Sequence, residues 1–392
     1  MFKYRLYPSG VQRNRLVAAC IALKGAYNKL LEGSVAEYES TGKGKVSQFY
    51  FNTQLKKIPL DSKYVFSQSL QNVSKRLSDA YKAFFRRVKA GEKPGFPRFK
   101  SRVHSITYPQ AGFKFTSDSR LQVSKIGRIP IVKHRELVGC VKTLTLKQNK
   151  IGQWFAVFSC EVETKKVKHK GKKIGIDVGL THFATLSDGS KIENPRHLLK
   201  SEERLKLLHR RVSRKVKGSM NRRKAKYRLA KLELKVANQR QDFLHKLSHT
   251  LTQKYKTITL EDLNISNMVK NHCLAKHIQD AGWGMFARMC SYKAVTCGGT
   301  AEQVNPNGTS QTCNKCGTKV KMTLKDRVFT CPSCGEVCDR DENAARNILA
   351  RGTVGLTGTT PVERRPLPSD SVPLASLLAE TGTIRGILCS TN

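Results

Sequence analysis

The sequence predicts an α+β multidomain protein: a β-rich first unit carrying helices, then an α/β unit holding a four-cysteine metal-binding insert. Three observations predict it. Strand-like alternation and two helical stretches share the first 170 residues. A different rhythm follows, with short apolar strands each carrying an acid, and two long basic helices between them. Near the end, two Cys-x-x-Cys pairs, each followed by Gly, flank 14 residues. At 392 residues the chain exceeds the about 100 to 200 residues of one typical domain, so two or three units with separate cores are expected.

In residues 1–170, Leu16, Val17, Cys20, Leu23, Tyr27 and Leu30 recur at helical spacing between Val11 and Gly33. From Ser67 to Val88, the residues Leu70, Val73, Leu77, Ala80, Tyr81 and Phe84 form a second apolar face. The turn-rich run Gly91-Glu92-Lys93-Pro94-Gly95-Phe96-Pro97 ends that helix. Leu121 to Val123, Arg128 to Val132, Val141 to Leu146 and Trp154 to Val162 read as strands. A small β domain with a helical insertion at about 11–100 is expected.

The basic stretch Lys165 to Lys173 leads into the second unit. Lys173 to Leu180 and Thr181 to Leu186 are strands, and Ser187-Asp188-Gly189-Ser190 is a hairpin turn into the next. Helices from about Arg196 to Val216 and Asn221 to Lys254, separated by Gly218-Ser219, make a helical hairpin over 196–254. Ala225, Leu229, Leu232, Val236, Phe243, Leu247 and Leu251 give its second arm a near-heptad seam. Residues 200–235 hold 15 lysines or arginines against 3 glutamates. Such a run is often only a solvated face. Like charges three and four apart destabilise a helix by tenths of a kcal/mol each, however, so this density favours phosphate contact and marks Arg210, Arg211, Arg222 and Arg223.

The whole chain repeats the message. Lys and Arg number 72 against 29 Asp and Glu, a net charge of +43 that calls for a polyanionic partner. Nucleic acid is the first candidate and an anionic membrane surface the second. No apolar run approaches the about 18 residues of a membrane span, and Met1-Phe2-Lys3-Tyr4-Arg5 opens no signal-peptide core, so a soluble, cytoplasmic protein with no membrane partner is expected. In residues 351–392 the charge excess falls to +1 and Pro361, Pro366, Pro368 and Pro373 interrupt any helix, so a disordered tail is expected.

Of 12 cysteines, five fall between Cys313 and Cys338. Cys313-Asn314-Lys315-Cys316-Gly317 and Cys331-Pro332-Ser333-Cys334-Gly335 each place two thiolates on one edge of a tetrahedron, with a glycine to allow the tight turn. Cys313, Cys316, Cys331 and Cys334 are therefore expected to bind one structural zinc ion within a ribbon at 306–338. Four thiolates leave no open position for substrate. Cys338 is a possible substitute ligand, though an ordinary cysteine serves as well there.

Three acids interrupt apolar surroundings. Asp177 lies in Ile174-Gly175-Ile176-Asp177-Val178-Gly179-Leu180, and Glu261 ends Thr257-Ile258-Thr259-Leu260-Glu261. Asp341 opens a short helix in which Ala344, Ala345 and Ile348 can pack on a sheet. A carboxylate in such a setting is costly unless it is paired or binds a cation. Phosphodiester hydrolysis uses two hard divalent ions about 3.5 to 4 Å apart, held by several oxygens. Asp262, Asp339 and Glu342 read instead as turn, cap or exposed residues, with Asp339 a fitting N-cap. The order strand, hairpin, strand and late helix is that of the ribonuclease-H-like fold.

At this point the residues resemble a known family. The stretches are Lys3-Tyr4-Arg5-Leu6-Tyr7-Pro8, Gly95-Phe96-Pro97-Arg98-Phe99-Lys100, the strands of Asp177 and Glu261, Asp280-Ala281-Gly282-Trp283-Gly284, Thr309-Ser310-Gln311-Thr312-Cys313, and Asp339-Arg340-Asp341-Glu342-Asn343-Ala344-Ala345. In this order, from the start to about residue 350, they resemble TnpB, the RNA-guided nuclease of insertion sequences, whose RuvC-like domain is shared with type V CRISPR effectors. The resemblance implies that Asp177, Glu261 and Asp341 are catalytic acids holding two Mg²⁺ ions. It implies an N-terminal β-barrel (WED-like) with an inserted helical bundle (REC-like), and a RuvC-like nuclease domain at 171–305 and 339–350. It also implies a guide RNA from the transposon end and a double-stranded DNA target bearing a short adjacent motif, gripped by one protein copy near the nucleoid. Gln68, Gln71, Tyr108 and Gln110 are the candidate motif readers, since Gln can read adenine edges and Tyr can stack on bases. Each could equally be an ordinary surface or core residue.

Three rivals share parts of this pattern. A transposase or resolvase would use the same acids without a guide, and a guide-dependent repressor would bind without cutting. An actin-like ATPase also carries Asp-x-Gly at a strand end, but leaves the zinc knuckles and the charge of +43 unexplained.

Overall fold

The computed structural model describes residues 1–354 apart from 43, 62, 117, 163–170, 324 and 325. The tail expected at 351–392 therefore lies, from residue 355 on, outside the described residues. Two compact units divide between Glu163 and Thr164.

The first unit runs β1 (Phe2–Leu6), α1 (Gly10–Thr41), α2 (Gln48–Lys57), α3 (Ser67–Lys89), β2 (Ser105–Pro109), β3 (Phe113–Phe115), β4 (Arg120–Val123), β5 (Gly127–Val132), β6 (Cys140–Gln148) and β7 (Trp154–Glu161). Its strands pair antiparallel in the order β2-β6-β7-β1-β5-β4-β3. Alternate residues point to one side, so Tyr4, Leu6, Leu144, Leu146, Trp154 and Phe158 line an apolar interior. The sheet curls until Phe115 on β3 lies with its ring 5.2 Å from that of Phe158 on β7, four strands along the pairing order. The result is a nearly closed, barrel-like sheet.

The helices enter between β1 and β2. Ser9 starts α1 with a capping box: its hydroxyl accepts from the Gln12 amide at 3.3 Å, and its own amide donates to Gln12 Oε1 at 3.0 Å. Gly42 ends α1 in the left-handed region, which costs glycine nothing. Leu30, Leu77 and Tyr81 belong to the shared core of helices and barrel. Tyr108 corrects an expectation. Because Ile106 and Tyr108 share the inward face of β2, Tyr108 is wholly buried, stacked on Phe66 with 5.9 Å between rings, and its hydroxyl donates to the Ser124 carbonyl at 3.3 Å. It is a core residue and presents no ring for a base.

The second unit runs β8 (Lys173–Val178), β9 (His182–Leu186), β10 (Lys191–Glu193), α4 (His197–Ser213), α5 (Met220–Lys254), β11 (Thr257–Glu261), α6 (Ile265–Met268), α7 (His272–Ala281), α8 (Trp283–Thr296), β12 (Thr300–Val304), β13 (Val328–Thr330), β14 (Val337–Asp339) and α9 (Arg340–Val354). The five-stranded sheet has the order β10-β9-β8-β11-β12. β8, β9 and β10 form an antiparallel meander, while β8, β11 and β12 lie parallel. Its alternation sorts the two faces. Ile174, Ile176, Ile258 and Leu260 join Leu244, Leu251 and Phe286 of α5 and α8 in one core. Gly175 and Thr259 point the other way, onto α9. The helix lies so close that a Cβ added at Gly175 would fall 2.2 Å from the Ala345 carbonyl oxygen, and one added at Gly352 would fall 2.4 Å from Thr259 Oγ1.

Asp280, part of the Asp-Ala-Gly-Trp-Gly run, ties the helices together. Its Oδ2 accepts from the Leu198 amide at 2.9 Å in the first turn of α4, and its Oδ1 pairs with Arg240 of α5 at 2.8 Å. Among the described residues, no helix is long and apolar enough to cross a membrane.

Candidate active site and zinc ribbon

The alternation that faces Gly175 and Thr259 toward α9 also sends Asp177 and Glu261 to that side. Ile176 pairs in register with Leu260, so the two acids stand level at the ends of neighbouring parallel strands. Asp341 joins them from the first turn of α9. Asp339 caps that turn as expected, its Oδ1 accepting from the amides of Asp341 at 2.9 Å and Glu342 at 3.3 Å, while Lys191 of β10 pairs with its Oδ2 at 2.7 Å.

Asp177 senses the other two acids. Burial, then the charges of Glu261 and Asp341, push the Asp177 carboxyl well above the usual carboxylate range. Burial also raises Glu261, opposed by a hydrogen bond from Thr309 and by the charge of Arg351. Thr309 Oγ1 donates to Glu261 Oε1 at 2.6 Å. Desolvated oxygens that repel one another suit a hard divalent cation, which relieves both penalties at once. Asp262 is exposed and Glu342 pairs with Arg346 four residues on, as structural readings of both require.

The four predicted thiols come together. Among the described residues, Cys313, Cys316, Cys331 and Cys334 form the group of three or more metal-ligating side chains whose ligand atoms all lie within 4.8 Å of one another. Cys313 and Cys334 sulfurs are 3.6 Å apart, and those of Cys316 and Cys331 are 3.5 Å apart. A zinc ion 2.3 Å from each of four tetrahedral sulfurs would set them about 3.8 Å apart, so the quartet fits the ion. Gly317 and Gly335 adopt φ of 77° and 71°, and each amide reaches back to the first cysteine of its knuckle at 3.0 Å. Cys338 stands outside the quartet, packed with Phe329 on the β13–β14 ribbon.

The ribbon is bonded to the helix that carries Asp341. Asn343 is wholly buried; its Nδ2 donates to the Thr312 carbonyl at 2.8 Å, and its Oδ1 accepts from the Asn314 amide at 3.0 Å. One turn on, Asn347 Nδ2 donates to the carbonyls of Thr309 at 2.8 Å and Thr312 at 2.6 Å. These contacts were not anticipated, although two Asn four residues apart among alanines marked a polar face that needed partners.

The candidate nucleic-acid residues scatter. Gln71 and Gln110 are exposed, the latter at a left-handed φ of 63°. Gln68 is half-buried, with its Oε1 enclosed and without a hydrogen-bond partner. Arg210, Arg211 and Arg223 are exposed on the basic hairpin. Arg222 is a correction: its guanidinium donates to the carbonyls of Val212 at 3.1 Å and Lys215 at 2.7 Å. Val212 lies in the last turn of α4 and Lys215 just beyond it, so Arg222, in the first turn of α5, ties the two helices together and closes the hairpin.

With the geometry described, comparisons place the fold first. The chain superposes on Cas12f1, solved in its complex with sgRNA and target DNA, with a TM-score of 0.54 and 16% identity over 86% of this chain and 82% of the other. The fold is therefore similar to that of Cas12f1. Sequence then gives the family. Residues 157–272 match OrfB_IS605, described as a probable transposase, and residues 283–348 match the Cas12f1-like TNB domain. A Streptomyces pristinaespiralis protein provisionally named RNA-guided DNA endonuclease is 34% identical over 90% of this chain and 89% of its own length. InsQ of Escherichia coli K12, named in the same way, is 32% identical over 96% and 98%. The chain belongs to this family, that of TnpB.

Proposed function

We propose that the chain is an RNA-guided DNA endonuclease whose residues 171–305 and 339–350 form a RuvC-like nuclease domain interrupted by the zinc ribbon at 306–338. The observation that carries this reading is the meeting of Asp177, Glu261 and Asp341 on one face of a sheet, in a chain of net charge +43. The three acids would hold two Mg²⁺ ions, which when bound neutralise phosphate charge and make water a better nucleophile.

The chain's own residues do the rest. Parallel strands fix Asp177 and Glu261 at one level, and the Asp339 cap with Lys191 holds Asp341 on a rigid first turn. Burial keeps bulk water from screening the carboxylates. Arg210, Arg211 and Arg223 neutralise backbone phosphates along the α4–α5 hairpin. The WED-like barrel and REC-like helices hold a transposon-derived guide RNA, and Gln71 and Gln110 are exposed for reading a short motif beside the target. Base pairing with the guide then selects the sequence. One protein copy serves one guide, and the two DNA strands are cut in turn at the same acids.

The test is to purify the chain with RNA from its native locus and challenge it with a plasmid carrying the guide-matched target beside a randomised flank. Cutting is expected only with RNA and Mg²⁺, and Asp177→Ala is expected to keep target binding while losing cleavage. Cutting that ignores RNA would favour a guide-free transposase or resolvase, and wild-type binding without cutting would favour a repressor.

A further inference from the structure

Glu261 is the one acid of the three whose carboxylate receives a hydroxyl donor from the approach to the zinc ribbon. Thr309 Oγ1 donates to its Oε1 at 2.6 Å, and Thr309 itself is 4% exposed. That hydroxyl also lies 3.0 Å from the Pro306 carbonyl, but it has one proton to give. An ionised acceptor takes the shorter, stronger bond. The bond engages one oxygen of Glu261 and so restrains the rotation of the carboxylate.

Thr309 is in turn held from α9. Asn347 fixes its carbonyl, and Cys313 begins the zinc knuckle four residues later, with the Thr312 amide bonded to the Gly308 carbonyl at 3.0 Å in between. Two independent anchors, the helix and the knuckle, thus determine where the hydroxyl stands.

We propose that Thr309 is a positioning residue that presents Glu261 to the divalent cation, so that the zinc ribbon sets the cation affinity of the acid cluster. Without the hydroxyl, Glu261 is free to rotate away, and cation binding loses the orientation that the hydrogen bond supplies. The inference rests on the nuclease reading above, but its test is separable from it.

Thr309→Val keeps the shape and removes the donor, and Thr309→Ser restores the donor with less bulk. Each variant is purified with its RNA and titrated with Mn²⁺, with free ion read by electron paramagnetic resonance. Cleavage rates are measured against Mg²⁺ concentration, and zinc is counted per chain. Thr309→Val is expected to bind Mn²⁺ about 10-fold more weakly and to need about 10-fold more Mg²⁺ for half-maximal cleavage. It should retain one zinc, and Thr309→Ser should fall within about 2-fold of wild type in both titrations. Should valine misfold, Thr309→Ala makes the same comparison. Wild-type Mn²⁺ and Mg²⁺ titrations in the hydroxyl-free variant overturn the proposal, as does a serine variant no better than valine. If Asp177→Ala and Glu261→Ala both cut normally, it is the nuclease reading of the acids that fails instead.

Discussion

Replacing Gly175 by alanine asks whether α9 must lie directly on β8 for the acid cluster to form. An added Cβ would sit 2.2 Å from the Ala345 carbonyl oxygen, 2.6 Å from the Leu349 amide nitrogen and 2.8 Å from Leu349 Cβ, where contacts under 3.0 Å essentially never occur. The closest obstacles are helix backbone, which cannot swing aside as a long side chain would. The helix therefore has to retreat by about 0.8 Å. Overpacking of this kind costs about 1 to 3 kcal/mol, and at about 2 to 4 °C per kcal/mol for a unit of this size the melting temperature drops by several degrees. Cleavage suffers more, because Asp341 rides on the same helix and a misplacement near 1 Å is worth about 100-fold in rate. Differential scanning fluorimetry and guide-dependent plasmid cleavage measure the two effects. Gly33→Ala is the control: Gly33 is exposed within α1 with nothing within 4 Å of an added Cβ, so about 0.5 to 1 kcal/mol of stabilisation is expected. Wild-type melting and cleavage in Gly175→Ala would refute the close approach of helix and strand.

Cys331→Ser should lose bound zinc, counted by elemental analysis, and with it the seat of Thr309; full zinc in the variant would remove Cys331 from the ligand set. Burial, then the charges of Glu261 and Asp341, raise the Asp177 carboxyl. The unfolded chain ionises this group near pH 4 while the fold resists, so stability falls as pH rises from about 4 toward the raised value. Asp177→Asn should therefore melt higher than wild type at neutral pH in chelator and lose the stabilisation that Mg²⁺ gives; melting below wild type at every pH contradicts this. Arg222→Ala should lower the melting temperature, because the bonds from its guanidinium to the Val212 and Lys215 carbonyls, which close the hairpin, are lost. Arg210→Ala with Arg211→Ala should leave melting unchanged and flatten the salt dependence of nucleic-acid binding by about two phosphate contacts; the opposite assignment of the two effects would reverse their roles.

Much of this was legible where a residue type has few structural uses. Paired Cys-x-x-Cys-Gly knuckles have few uses besides a metal, and acids interrupting Ile174–Ile176 or Ile258–Leu260 carry a cost that a partner or a cation must relieve, so local sequence marks both. The long helices showed their period, and α3 begins at the expected Ser67. What was hidden depends on contacts between distant segments. Tyr108 carries a polar tip that reads as surface until β2 is known to turn it inward. Arg222 sits in a run of charges that gives no sign of the Val212 and Lys215 carbonyls it bonds. β12, with an Ala, Glu and Gln at its centre, lacks an apolar signature and becomes a strand because β11 offers it a parallel edge. Thr309 gains meaning only once the chain has returned to Glu261.

The position of β1 has a consequence for how the polypeptide is made. The strand leaves the ribosome well before its pairing partners β5 and β7, with Phe2 opposite Phe158 and Leu6 opposite Ile131. During synthesis its edges stay unpaired while α1, α2 and α3, whose contacts are local, can already form. The barrel closes only after β7 is complete, so a stalled or truncated product ending before Trp154 would leave β1 with an unpaired edge and its buried face, Tyr4 and Leu6, open to aggregation.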